Sequence, residues 1–133
     1  MTAAFLDTVG LLAIGDIADQ WHEDAEHAFE ILRQAKTRLL TTTFVLLECG
    51  NAAARRPYRA EPDILRDLLE RRGELITPTD EDWRQAWHEY RKTPENRAGI
   101  VDCVSFVVMR RLGLNEAFTN DRHFAAAGFV TLF

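Results

Sequence analysis

Ala3-Ala4-Phe5-Leu6-Asp7-Thr8 begins with four apolar residues and stops on a carboxylate and a hydroxyl. A run this short, closed by a polar pair, reads as a buried strand with Asp7 at its C-terminal end. The same grammar recurs downstream. Arg38 to Thr42 is a second candidate strand, and Leu75-Ile76-Thr77 a third, closed by Pro78. Glu116 to Thr119 is a fourth that leads into Asn120-Asp121, and Phe129 to Leu132 a last one. Helical patterns fill the intervals. His22 to Ala35 places Ala25, Ala28, Phe29, Leu32 and Ala35 at helical spacing. The next helix begins among Thr41, Thr42 and Thr43, any of which can cap it, and runs to about Arg56, where Pro57 stops it. Pro62 to Arg72 has an acid near its start and Gly73 past its end, the expected start and stop signals. Thr79 or Asp80 caps a helix with Trp83, Ala86, Trp87 and Tyr90 on one face, and Thr93 to Gly99 is a polar loop. Ile100 to Leu112 is apolar almost all round, which marks a buried helix, and Gly113 ends it. Strands alternating with helices predict an α/β fold on a parallel sheet. No repeat, linker or low-complexity tract interrupts the 133 residues, so residues 1–133 are expected to form one domain with its own core.

Composition narrows the function. The chain is 47% hydrophobic and 28% charged, the balance of an ordinary globular domain. It has no apolar stretch of the length that spans a bilayer, so no membrane association is expected. Its N-terminus meets Asp7 too early for a signal peptide, so a cytoplasmic protein is expected. Cys49 and Cys103 lie in apolar helical runs without metal-binding spacing and read as buried, reduced thiols. A net charge of −5 argues against bulk attraction to nucleic acid. The basic residues are nevertheless uneven: Arg55, Arg56 and Arg59 form one group, and Arg91, Lys92 and Arg97 another. Arginine dominates, and its planar fork suits phosphate oxygens, although solvated helix faces have the same composition.

Four acids, Asp7, Glu48, Asp102 and Asp121, each stand where an apolar strand ends or a buried helix begins. Taken singly, each is explained as a cap or a turn residue. Taken together, they fall at the edge of a parallel sheet where ligands bind, outside the carboxyl ends of the strands. Carboxylates gathered in one crevice repel each other unless a cation neutralises them. A ligand set of oxygens without cysteine or histidine points to Mg²⁺ or Mn²⁺, and hence to metal-dependent phosphodiester chemistry. Thr8, Ser105 and Thr119 accompany Asp7, Asp102 and Asp121 at close spacing, and their hydroxyls can orient carboxylates, waters or phosphate oxygens. Asn51 and Arg55 share the helical face of Glu48. His22, His27, His88 and His123 show no shared spacing and read as surface or packing residues. The aromatic group on the Trp83 helix reads as core or interface. Neither a glycine-rich phosphate loop nor a Ser–His–Asp arrangement is visible.

Four blocks occur together in one order: Phe5-Leu6-Asp7-Thr8, Leu46-Leu47-Glu48-Cys49-Gly50-Asn51, Val101-Asp102-Cys103-Val104-Ser105-Phe106-Val107-Val108-Met109, and Phe118-Thr119-Asn120-Asp121-Arg122-His123-Phe124 with Ala127-Gly128-Phe129. In content and separation they resemble the PIN-domain ribonucleases, specifically the VapC-type toxins of bacterial toxin–antitoxin pairs. The third and fourth blocks carry most of the resemblance, which spans essentially the whole chain. It implies a single PIN domain, a parallel β-sheet sandwiched by α-helices. It implies that Asp7, Glu48, Asp102 and Asp121 form the Mg²⁺ or Mn²⁺ cluster, supported by Thr8, Asn51, Ser105 and Thr119. It implies endonucleolytic cleavage of RNA, which in such toxins can be confined to one tRNA or rRNA loop, together with homodimerisation and inhibition by a cognate antitoxin protein. Many relatives carry a further acid near the third or fourth position. Here Ser105 and Asn120 stand nearby instead, which leaves one or two ions open.

In the mechanism this suggests, Asp7, Asp102 and Asp121 are direct ligands, Glu48 acts through water, and Arg55, Arg56 and Arg97 grip the RNA backbone. Two alternatives remain. Haloacid-dehalogenase-like phosphatases also place an Asp after the first strand, but they need a second two residues on, where Val9 stands. A catalytically inactive PIN-like interaction module that binds a partner through its aromatic helix would need no acidic quartet.

Overall fold

The computed structural model describes residues 2–92, 95 and 97–133. At its centre is β1 (Ala3–Leu6), paired on one side with β2 (Arg38–Thr42) and on the other with β4 (Glu116–Phe118). β3 (Leu75–Ile76) lies outside β2, and β5 (Val130–Thr131) outside β4. The five strands are all parallel, in the order β3-β2-β1-β4-β5. Phe5 pairs with Leu40 and with Ala117. Because side chains alternate along a strand, β1 feeds two cores. Phe5 packs with Val45, Cys49, Phe106, Met109 and Phe124 on one face. Ala4 and Leu6 pack with Ala13, Ala25, Ala28, Leu32 and Phe118 on the other. Burial on both faces is why the strand is a continuous apolar run rather than an alternating one.

Among the described residues seven helices connect and cover the strands: α1 (Thr8–Gly15), α2 (His22–Gln34), α3 (Thr43–Ala53), α4 (Glu61–Arg72), α5 (Asp80–Lys92), α6 (Ile100–Leu112) and α7 (Arg122–Ala126). Six follow from periodicity, capping or the turn after a strand; α1 does not. It is apolar around its whole circumference and contains two glycines, so neither helical period nor propensity marks it. Gly10 is essential to its position: a Cβ there would stand 2.1 Å from the carbonyl oxygen of Phe118. The absence of a side chain lets α1 lie directly on β4.

Smaller differences concern ends. α3 stops at Ala53 rather than near Arg56, α2 ends at Gln34, and Thr77, Thr119, Phe129 and Leu132 lie outside the strands. Of the expected Thr93–Gly99 loop, residues 93, 94 and 96 lie outside the described residues. Gly73 and Gly113 take the left-handed conformation that ends α4 and α6.

α5 packs through Ala86 against Cys103, Val104, Val107 and Val108 of α6. It starts in a reciprocal cap. The Asp82 amide donates to Thr79 Oγ1 at 3.0 Å, and the Thr79 amide donates to Asp82 Oδ2 at 2.9 Å. Arg111 of α6 then grips the same buried carboxylate with two hydrogen bonds, of 2.9 and 2.7 Å. Phe44, Trp83, Trp87 and Tyr90 form an edge-to-face row with centroid separations of 6.0, 5.7 and 5.3 Å. The sheet positions the carboxyl ends of β1 and β4 side by side where the winding reverses, and that edge is where the candidate site lies.

Candidate active site

From β1 the chain winds outward through β2 to β3, and then returns across the sheet to β4 and β5. The reversal falls between β1 and β4, so the crevice beyond their carboxyl ends is the topological switch point of the sheet. Asp7 leaves β1 there, and Thr119 and Asp121 leave β4.

Asp7 is buried and caps α1, accepting from the Val9 amide at 3.3 Å. Its Oδ2 also accepts from the Thr119 hydroxyl at 2.8 Å. That hydroxyl is buried and in turn accepts the Asp121 amide at 3.0 Å. One threonine therefore ties the acid after β1 to the acid after β4. Asp121 caps α7: its Oδ1 accepts the His123 amide at 2.9 Å and lies 2.8 Å from His123 Nδ1. Glu48 extends from the second turn of α3, and its Oε1 accepts from the Thr8 hydroxyl at 2.7 Å. α3 is itself fixed near β1. Thr42 caps it through the Val45 amide, and the neighbouring Thr41 hydroxyl donates to the Leu6 carbonyl at 2.6 Å. Asp102 occupies the first turn of α6.

These carboxylates feel one another. Burial pushes the Asp7 carboxyl up to about 7, and the charge of Asp102 adds to the rise against the opposing hydrogen bond from Thr119. Burial likewise pushes Asp102 up to about 6, reinforced by Asp121 and Glu48 and opposed by His123. Asp102 is thus coupled electrostatically to each of the other three acids. The Cys49 thiol is pushed up to about 12, by burial and then by Asp7 and Glu48, so it stays protonated and takes no part as a nucleophile. Asp102, Asp121 and His123 each present a ligand atom within 4.8 Å of the other two.

The hydroxyls act on different partners from those their sequence spacing suggests. Thr8 serves Glu48 rather than Asp7, and the Thr119 side chain serves Asp7 rather than the carboxylate of Asp121. Both connections span long stretches of chain, which local spacing cannot reveal. Ser105, one turn after Asp102, is buried, and its hydroxyl has no hydrogen-bond partner among the described residues. Asn51 is exposed on α3, with no side-chain hydrogen bond among the described residues. Arg55, Arg56 and Arg97 are exposed, and no hydrogen bond or ion pair among the described residues ties them to the acids. His123, which by sequence reads as a surface or packing residue, stands at the cluster. Its signal was its position two residues after Asp121, where a cap brings an imidazole back onto the capping carboxylate.

The donor set suits a hard divalent cation: four carboxylates, two of them raised in pKa by burial and by neighbouring carboxylates, and on α6 a buried Ser105 hydroxyl without a partner among the described residues. The carboxylate oxygens are the donors that suit Mg²⁺ and Mn²⁺.

The model of one known family, the PIN domain, matches residues 4–130. The chain belongs to the PIN-domain family. It is 32% identical over 131 residues to the 23S rRNA-specific endonuclease VapC20 of Mycobacterium tuberculosis, in strains CDC 1551 and H37Rv, with 95% of each chain covered. The crystal structure of M. tuberculosis VapC20, described as a sarcin–ricin loop cleaving toxin, superposes with a TM-score of 0.80 at 27% identity, over 96% of this chain and 97% of that one. DNA-bound VapBC from Salmonella typhimurium superposes with a TM-score of 0.69 at 16% identity, over 98% and 97%, a likeness of fold. Over residues 4–130, then, the chain is a PIN domain similar to VapC-type proteins, the resemblance its four sequence blocks carry.

Proposed function

We propose that this PIN domain holds Mg²⁺ or Mn²⁺ on Asp7, Glu48, Asp102 and Asp121 and hydrolyses RNA phosphodiester bonds as the toxin of a toxin–antitoxin pair. The observation that supports it most directly is the meeting of four distant carboxylates at the switch point, with Asp7 and Asp102 both driven upward in pKa. The cation, when bound, supplies an activated water and neutralises charge on the scissile phosphate. The chain's own residues supply order. Thr119 and the Val9 amide hold Asp7 in one orientation, and the α7 cap does the same for Asp121, so both carboxylates are pre-set as direct ligands. Thr8 directs Glu48, which is only half-buried and suited to act through water or to accept the proton of the nucleophile. Asn51 and Ser105 complete the proposed support, Ser105 by offering its unpaired hydroxyl to a water in the loaded site. Arg55, Arg56 and Arg97 lie free on the surface to grip the RNA backbone, which makes binding fall with salt.

The substrate proposed is an RNA loop, with 23S rRNA favoured by the activity named for the M. tuberculosis relative. The test is incubation of the purified, antitoxin-free protein with total RNA and Mg²⁺ or Mn²⁺, alongside EDTA and Asp102→Asn. Discrete fragments that vanish in both controls are expected, and full activity in the variant refutes the cluster. A cognate antitoxin is the proposed partner. An apolar cavity of about 970 Å³ lined by Leu12, Phe29, Leu39, Leu46, Leu65 and Leu69 offers a seat for its apolar side chains. Inhibition of cleavage by the product of an adjacent small gene tests this. Homodimerisation belongs to the same reading and is measured by light scattering. Among the described residues no helix is long and apolar enough to cross a membrane; action in the cytoplasm remains part of the proposal.

A further inference from the structure

Beside the acidic cluster lies a second cavity, of about 530 Å³, between α6, α7 and the end of α5. We propose that it receives an unstacked nucleobase adjacent to the scissile phosphate and so contributes to the choice of RNA. The inference rests on the ribonuclease reading above.

Position is the first argument. His123 lines this cavity and also touches Asp121, with Nδ1 2.8 Å from Oδ1. The cavity therefore begins where the cluster ends, and a phosphodiester held at Asp102 and Asp121 through a bound cation would have its neighbouring base at the cavity mouth. Size is the second: the volume falls within the ~300–1,000 Å³ range of small-ligand pockets. Small side chains, Ala98, Ala126 and Ala127, keep it open.

The wall is the third argument. The Arg110 guanidinium lies 6.0 Å from the Phe106 ring centroid and 5.5 Å from that of Phe129. Glu89 pins it through contacts of 3.0 and 2.8 Å, and the Ala127 carbonyl accepts from it at 3.4 Å. A planar cation held in one orientation over an aromatic ring is a stacking surface for a base. Charge decides between base and phosphate. Glu89 and Glu95 oppose Arg110 and Arg122 around the cavity, so the two carboxylates cancel the two guanidiniums. A balanced lining disfavours an anion and suits a neutral, flat ligand with donors and acceptors on its edge.

The test uses a variant outside the metal cluster, Ala126→Leu, which fills the cavity from an exposed helix position. Two-dimensional ¹⁵N NMR of the full chain is recorded with each of the four ribonucleosides, which carry no phosphate. Shifts centred on the amides of His123, Ala126 and Ala127, lost in Ala126→Leu, are expected with at least one nucleoside. Shifts absent for all four, or mapping elsewhere, overturn the proposal. This readout needs no catalysis, so it stands apart from failure of the ribonuclease reading. If the wild type cleaves RNA, a single abasic nucleotide beside the cut is expected to lower kcat/KM at least tenfold. In Ala126→Leu the abasic and intact substrates become equivalent while Mn²⁺ binding stays unchanged. Equal cleavage of the two substrates by the wild type overturns it.

Discussion

Asp7→Asn is expected to make the metal-free protein more stable while disabling it. Asp7 is buried, and its carboxyl is raised from 3.8 to about 7, by desolvation first and by Asp102 second. Below pH ~4 the group is protonated in folded and unfolded chains alike, and stability carries no penalty. Between pH ~4 and ~7 the unfolded chain ionises while the folded chain keeps its proton. The folded state then binds more protons, and stability falls as pH rises, by about 1.4 kcal/mol per unit. Above pH ~7 both states are ionised, and the accumulated penalty is about 4 kcal/mol as a ceiling, which water entry and local relaxation bring down to about 2. An amide cannot ionise, yet its oxygen still accepts from the Thr119 hydroxyl and the Val9 amide. The variant thus keeps the bonds from Thr119 and Val9 and loses the charge.

Urea unfolding in EDTA at pH 5 and pH 8 measures this. The stability difference between variant and wild type should be small at pH 5 and reach about 2 kcal/mol in the variant's favour at pH 8, a rise in Tm of several degrees for a domain of this size. Added Mn²⁺ should reverse the ranking, because a ligand at about 100 times its Kd stabilises the wild type by about 2.7 kcal/mol and the variant cannot hold it as tightly. Parallel pH profiles for the two proteins in EDTA would refute the reasoning, since they would mean that Asp7 is not the group whose burial is resisted.

Other substitutions probe the supports of the site. Gly10→Ala drives a methyl into the Phe118 carbonyl and should destabilise by about 3 kcal/mol and weaken Mn²⁺ binding, because β4 must shift beside Thr119; unchanged urea unfolding would contradict the close packing. Thr119→Val removes the hydroxyl that bonds Asp7 and the Asp121 amide, so about 1–3 kcal/mol of stability and roughly 10–100-fold in metal affinity should be lost, measured by denaturation and calorimetry. Arg111→Met leaves the buried Asp82 with only its Thr79 partner and should lower stability by about 1–3 kcal/mol without altering Mn²⁺ binding; a drop in metal affinity would mean that α5 and α6 also position Asp102.

The sequence revealed what is encoded locally and missed what is encoded between distant segments. Strand positions were legible because a strand buried on both faces must be apolar throughout and must stop at its edge, as Ala3–Leu6 does before Asp7. α6 was legible because it is packed on nearly every side, so Asp102 stood out as a charge in an apolar run. α1 was illegible for a related reason: when a helix is apolar all round and lies on the sheet through a glycine, neither period nor propensity remains to announce it. Asp7, Asp102 and Asp121 could be picked out because each sits at an element boundary, and Glu48 because it stands as the one charge in an apolar helical run. Their supports could not, since the Thr119–Asp7 bond joins residues 112 positions apart and the Thr8–Glu48 bond residues 40 apart.

The same contrast accounts for the stability trade at the site. A cap such as Asp121 does local work that any helix start would reward, and it is half-exposed. Asp7 caps a helix as well, but an exposed serine would do that without burying a charge. At neutral pH and above, a bound cation would compensate for burying the Asp7 charge near Asp102. The raised carboxyl is therefore what the proposed cation site would require of the carboxyl end of β1.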